Sequence, residues 1–474
     1  LQLLKQVIAL RKYFYLVLVA FAWMVVITGE TGCANIVPPT GGPRDTLPPL
    51  LISATPRDSS LRFTGNRVTF TFNEYVDVQS ASENLIVSPT PKIQPSVEFR
   101  LRTVTVRLKD TLEANTTYSL NFGDAIRDIN ENNILKNFTY VFSTGTYLDN
   151  RQLSGSVILA ETGKVDSTLT VMLHISGDDS AVVKERPRYY ARVNGQGKFT
   201  FRNLPAGRFF LYALKDESNT RRYDSRAQLF AFASEPVQIT DSVAPQTLFA
   251  YAEPEEKPRP TTRATTGRSS ADKRLTFSTN LESNRQELLD SLELRFPTPL
   301  KKFDSSGISL TDINFKPFPG VNFAPDSLFQ KYSIAFNWIP DSTYNLILAK
   351  GFAEDSLGKS LLKADTITFK AKKTTDYGNV RLRFPDLDLS RNPVLQFTQN
   401  DVIKQSTRLT AKEFRQQLFK PGDYYLRILY DTNQNGVWDP GSFFGVKRQP
   451  EIVQAIEKKV TVKPNWDNDD VFRQ

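Results

Sequence analysis

Asp431, Asn433, Asn435 and Asp439 set oxygen-bearing side chains at positions 1, 3, 5 and 9 of one short stretch, Asp431-Thr-Asn-Gln-Asn-Gly-Val-Trp-Asp439. Gly436 at the sixth position lets the chain turn sharply, and Val437 offers its carbonyl at the seventh. Alternate side chains converging on one point surround a hard cation, so the pattern reads as a calcium loop. Ser442 stands at position 12, where a bidentate Glu completes the tighter loops, and only two of the four side chains are carboxylates. Calcium held here binds weakly, with a Kd on the order of 10⁻⁴ to 10⁻³ M. Glu451 is a candidate for the missing ligand. The same residues equally make a plain β-turn, with Asn and Asp bonded to their own backbone and Gly at positive φ. Both readings stay open. In the related stretch Asp216–Asp224, Arg221 replaces the glycine and Arg222 follows it, so no cation is expected there.

Other chemistry is thinly supplied. His174 is the only histidine, set mid-strand with Met172 and Ser176 on what reads as a polar face. A base there needs Ser and Asp partners that the sequence does not bring near it. One histidine and one cysteine exclude the usual zinc ligand sets. Asp178-Asp179 and Asp469-Asp470 are neighbours, so on a strand they point apart and lack the separation of a glycosidase pair. No glycine-rich phosphate loop occurs. Trp438 and Trp466 are the candidates for stacking on a sugar, with turn packing the simpler role for Trp438.

The elements that position these residues are strands. Period-two alternation recurs through the chain: Val68, Phe70 and Phe72 against Thr69 and Thr71, and Val104, Val106 and Leu108 against Thr105 and Arg107. Such runs are half-buried strands, and several in about 95 residues make a sandwich. A chain of 474 residues suggests three or four domains. Its 40% hydrophobic content supports several cores, and 33 Phe and 17 Tyr against 2 Met lean towards β-structure. A net charge of +9 spread over this length, without a basic stripe interleaved with exposed aromatics, argues against nucleic acid as a partner.

Two family resemblances follow from particular motifs. FTFNEYVD (70–77), TTYSLNF (116–122), Asp128 with its Asn-rich turn, and FSTG (142–145) resemble the bacterial Ig-like domain first described in S-layer proteins. That family implies a β-sandwich spacer or binding module over residues 50–146. Residues 152–250 resemble the transthyretin-like, carboxypeptidase-regulatory sandwich through Gly197-Lys-Phe-Thr-Phe-Arg-Asn-Leu-Pro-Ala-Gly207 and the aromatic strand after it. That family implies a noncatalytic fold.

The plan then repeats. Asp341-Ser-Thr-Tyr-Asn-Leu-Ile347 matches Asn115-Thr-Thr-Tyr-Ser-Leu-Asn121, and an Asp with a turn follows in both, at Asp355 and Asp128. GRFFLYALKDESNTRRYD (207–224) aligns without gaps with GDYYLRILYDTNQNGVWD (422–439). The expected fold is all-β: tandem sandwiches, Ig-like and transthyretin-like, repeated twice after an N-terminal signal helix. The expected divisions are a signal peptide (1–32), a tether (33–49), an Ig-like domain (50–146), a transthyretin-like domain (152–250), a Pro- and Thr-rich linker (251–274), a diverged Ig-like domain (275–373) and a second transthyretin-like domain (378–474).

The N-terminus carries an address. Lys5, Arg11 and Lys12 precede an apolar run from Tyr13 to Gly29, and Glu30-Thr31-Gly32-Cys33 follows. Small residues directly before the sole cysteine resemble the bacterial lipobox, although Glu30 stands where that motif has Leu, Val or Ile. The resemblance implies a lipoprotein of Bacteroidetes type, with diacylation of Cys33 and cleavage before it. An uncleaved N-terminal anchor is the other reading. No acidic cluster follows Cys33, which favours the periplasmic face of the outer membrane over the cell surface. The expected function is a noncatalytic, lipid-anchored envelope protein, its modules serving as spacer and as binding surface for an envelope protein. A carbohydrate-binding surface protein or adhesin, with glycan as partner, is the alternative. No cofactor is expected, calcium excepted.

Overall fold

The computed structural model describes residues 2–29, 44–253 and 274–473. Glu30 and Cys33 lie outside the described residues, as does most of the linker, 254–273. The N-terminal helix spans Gln2–Gly29. Among the described residues, no helix is long and apolar enough to cross a membrane.

The rest is all-β. In the first unit, Leu51–Thr55, Arg67–Phe72, Thr103–Arg107 and Ser96–Arg100 form one four-stranded sheet in that order. Ile86–Ser88, Thr117–Gly123 and Phe138–Ser143 form the facing sheet, and Val76–Val78 pairs with Ile126–Asp128 as a short ribbon. The alternation explains the packing. Val68, Phe70 and Phe72 are buried, and Phe70 meets Phe122 and Tyr140 edge-on across the sandwich.

The third unit repeats this order. Ser278–Thr279, Leu292–Arg295, Lys331–Ala335 and Asn322–Pro325 make the first sheet, and Leu300–Phe303 with Ala353–Asp355 makes the ribbon. Ile308–Asp312, Thr343–Leu348 and Asp365–Ala371 make the facing sheet, to which Arg285–Gln286 adds in parallel at its edge. Register agrees as well: Val76 pairs with Asp128 in one ribbon and Leu300 with Asp355 in the other.

The second and fourth units share another order. Arg151–Leu159 lies between antiparallel Lys198–Leu204 and parallel Gln246–Ala250. Gly378–Arg383 lies likewise between Glu413–Phe419 and Asp467–Val471. The other sheet of the second unit runs Tyr189–Arg192, Leu169–His174, Gly207–Lys215, Phe230–Phe232. Its counterpart runs Val402–Arg408, Pro393–Gln399, Gly422–Tyr430, Ile452–Val462.

One sheet of the second unit is buried on both faces. Val171, Leu173, Leu211 and Ala213 enter the unit's own core. On the opposite face Met172, Tyr212, Phe230 and Phe232 form a second apolar cluster, closed by Phe443 of the fourth unit. The backbone follows: Val453 N donates to Ala160 O at 2.8 Å and Gln449 Nε2 to Phe232 O at 2.9 Å. Gly441 is required at this contact, because a Cβ there would stand 2.6 Å from the Tyr251 ring. The fourth unit is therefore docked on the second.

His174 departs from its expected position. It ends the strand Leu169–His174 and is 2% exposed, with its ring edge-on to Tyr212 at 5.6 Å. The face that reads as polar in sequence is covered, in part by residues far along the chain, and alternation within the strand does not reveal that.

Candidate functional site

Gly422–Tyr430 delivers Asp431 into its loop with only 1% exposure. Asp431 Oδ1 accepts from Gln434 N and Oδ2 from Gly436 N, both at 2.7 Å. Asn433 and Asn435 donate their amides to Asp439 Oδ2 at 2.6 and 2.7 Å, and Asn435 Oδ1 accepts from Val437 N at 2.7 Å. Glu451 joins the loop: its Oε1 accepts from Thr432 N at 2.7 Å and its Oε2 from Asp439 N at 3.1 Å. Trp438 is tied in through Nε1 to Glu451 O at 2.8 Å. Asp431, Asn433, Asn435, Val437, Asp439 and Glu451 thus come together, with their polar atoms satisfying one another and the backbone. Among the described residues, no group of three or more His, Cys, Asp or Glu side chains is placed to hold a metal.

The related loop shows what the aspartate does. Asp216 accepts from Thr220 N and Arg221 N at 3.0 and 2.8 Å, and Arg221 takes φ 54° where Gly436 takes 78°. Asp128 gathers Glu131 N, Asn132 N and Asn133 N at 2.6 to 2.9 Å, and Asp355 gathers Leu357 N and Lys359 N. Burial raises the Asp128 carboxyl, but the backbone donors outweigh it and hold the group below its ordinary range. In each unit a recessed aspartate clamps a turn.

The remaining candidates have structural partners. Asp178 accepts from Ser180 N, and Asp179 pairs with Lys447 of the fourth unit at 2.5 Å. Asp469 pairs with Arg383 at 2.8 Å, and Asp470 with Lys458. His174 Nε2 finds no hydrogen-bond partner among the described residues, and burial pushes the imidazole down to about 4. Trp466 is 61% exposed, on its own beside Lys463.

A feature missed in sequence lies between the first two units. A cleft of about 810 Å³ opens there, walled by Ser119, Asn121 and Thr139 on one side and by Lys198, Thr200 and Arg202 on the other. Its walls are pinned together. Arg188 makes a two-pronged pair with Glu113 at 2.6 and 2.5 Å, and its carbonyl accepts from Thr90 N at 2.8 Å. Arg192 donates to Asn84 Oδ1 and to Glu83 O. The only trace in sequence is the basic outward face of Lys198-Phe-Thr-Phe-Arg202, read there as part of a turn-and-strand motif.

Residues 45–144 match the family model of the bacterial Ig-like domain. The match spans the two sheets and the ribbon of the first unit, and the third unit has the strand order of this Ig-like domain. None of the curated proteins matches the chain. Among solved structures, the Bacillus anthracis TIE protein is similar at 11% identity, over 91% of this chain and 76% of that one, with a TM-score of 0.16. The N-terminal part of the bacterial S-layer protein SbsC is similar at 15% identity over 44% of each chain, with a TM-score of 0.17. BcpA, the major pilin subunit of Bacillus cereus, shares 9% identity over 68% of this chain and 99% of its own, with a TM-score of 0.16.

Proposed function

We propose that this is a noncatalytic cell-envelope lipoprotein, held by lipid on Cys33 at the outer membrane, whose sandwiches act as spacer and protein-binding surfaces. The observation that carries this reading is the Ig-like match at residues 45–144, together with a second unit of the same strand order. Repetition of a two-unit plan with the same central strand order supports an old duplication of one module pair. The noncatalytic part draws on the use made of the polar residues: the aspartates clamp turns or form ion pairs, and His174 is buried edge-on to the Tyr212 ring. The basic, apolar and small-residue order before Cys33 supports the anchor. A pull-down from native membranes with the full chain as bait tests the binding role. A protein partner enriched at stoichiometric level is expected. Enrichment of glycan in place of protein would overturn this reading in favour of a carbohydrate-binding one.

A further inference from the structure

The cleft between the Ig-like unit and the second unit carries a charge imbalance found at neither of the other two places where units meet polar side chains. Arg127, Lys198 and Arg202 line it, and none of the three is in an ion pair with a described residue. Arg127 Nε is buried without a hydrogen-bond partner among the described residues. Among the described residues, Asp124 is the one acidic residue in the lining. Where the third and fourth units meet, Lys420 pairs with Asp290 at 2.5 Å. Where the fourth unit docks on the second, Lys164 pairs with Asp401 and Lys447 with Asp179.

The equivalent strands Lys198–Leu204 and Glu413–Phe419 place Glu413 opposite Lys198 and Gln417 opposite Arg202. Glu413 is neutralised by Arg381 at 2.7 Å. The basic face therefore belongs to one copy of the repeat only, and the fold does not require it. Phe199 and Phe201 of the same strand point into the core, so Lys198 and Arg202 sit on the opposite, exposed face.

The backbone around the cleft has its own character. Ile86–Ser88, Tyr189–Arg192 and Lys198–Leu204 all line it, and each is the terminal strand of its sheet. Terminal strands present backbone donors and acceptors to an added strand. Amide and hydroxyl side chains, among them Asn121, Thr139 and Thr200, extend that polar lining. The volume falls within the roughly 300 to 1,000 Å³ of ligand-binding clefts. Because an ion pair and a hydrogen bond fix the two walls, the cleft is preformed.

We propose that this cleft binds an extended, acidic polypeptide segment of a partner protein, its carboxylates against Arg127, Lys198 and Arg202 and its backbone along a terminal strand. The proposal rests on the protein-binding reading above and gives the partner a chemistry. Free strand edges favour a peptide over a sugar, and the unpaired cations set its sign.

Fluorescence anisotropy with the full chain tests it, using a labelled peptide that alternates Glu with Val and Thr. Saturable binding that weakens with added salt is expected, and the same peptide with Lys for Glu does not bind. The double variant Lys198→Glu, Arg202→Gln, which copies the fourth unit, loses at least about tenfold in affinity. Its circular dichroism and melting temperature match the parent, since both side chains are exposed. No saturable binding, or equal affinity in the variant, overturns the proposal. Tighter binding of oligogalacturonate than of the acidic peptide overturns it in favour of an acidic glycan. The membrane pull-down repeated with the variant separates the two readings. A protein partner retained by the variant leaves the protein-binding function standing and removes this cleft from it.

Discussion

The ring of Phe443 stands 5.0 Å from that of Phe230 with 65° between their planes, and the two residues belong to different units. Phe443 also meets Tyr212 and Phe232 at 5.7 and 5.2 Å and is fully buried. A residue in a loop of the fourth unit thus completes a core of the second. The chain is folded back on itself at this contact, so the loop Asp431–Asp439 lies near the second unit instead of at a distant tip.

Phe443→Ala removes that keystone. Truncating a buried Phe costs about 3 to 5 kcal/mol, and here the loss falls on docking more than on either sandwich. Denaturant unfolding of the parent is expected to couple the second and fourth units, while the variant shows their transitions apart and a larger radius of gyration in solution scattering. A variant with the parent's single transition and radius would contradict the docking.

His174 makes stability depend on pH. Its ordinary value is 6.5 and burial lowers it to about 4 in the folded protein. The unfolded chain therefore binds the proton first as pH falls. The stabilisation is complete above pH 6.5 and is lost as pH drops towards 4, by roughly 3 kcal/mol over that window. Urea denaturation at a series of pH values should show this slope in the parent. His174→Leu should flatten it, and an unchanged slope would place the effect elsewhere.

Asp128→Asn puts an amide N–H against backbone donors that now meet a carboxylate. A loss of about 2 kcal/mol is expected at neutral pH. Because the folded carboxyl is held below its ordinary 3.8, its contribution is present above that value and disappears as pH falls through the lowered one. Parent and variant should therefore converge in strong acid. A gap that persists there would mean packing, and not the carboxylate, stabilises the turn.

The loop at Asp431 holds its shape through its own hydrogen bonds. A chelator is expected to leave the melting temperature of the full chain unchanged, and millimolar calcium to release no heat of binding. A rise of several degrees with calcium, abolished by Asp439→Ala, would establish the ion site instead.

Much of this was legible in sequence, for physical reasons. Val68, Phe70 and Phe72 alternate because one face of their strand packs inward, and alternation survives in the sequence. The match of 207–224 to 422–439 carries through to strands that pair alike. What escaped depends on distant residues. The face of Leu169–His174 that holds Met172 and His174 reads as polar because the aromatic cluster against Met172 is completed by Phe443 of the fourth unit, and nothing local to the strand records that. The cleft escaped because its two walls come from different sandwiches, with Thr139 and Arg202 brought together where Arg188 grips Glu113 and Arg192 holds Asn84. Asp431 carries two readings because an aspartate that clamps a turn and one that binds calcium use the same spacing.

The central proposal is a lipid-anchored envelope protein, and incorporation of radiolabelled palmitate in cells tests it most directly. The parent chain should take up label and partition into the detergent phase, while Cys33→Ala takes up none and stays aqueous. An unlabelled parent, or equal label in Cys33→Ala, would contradict it.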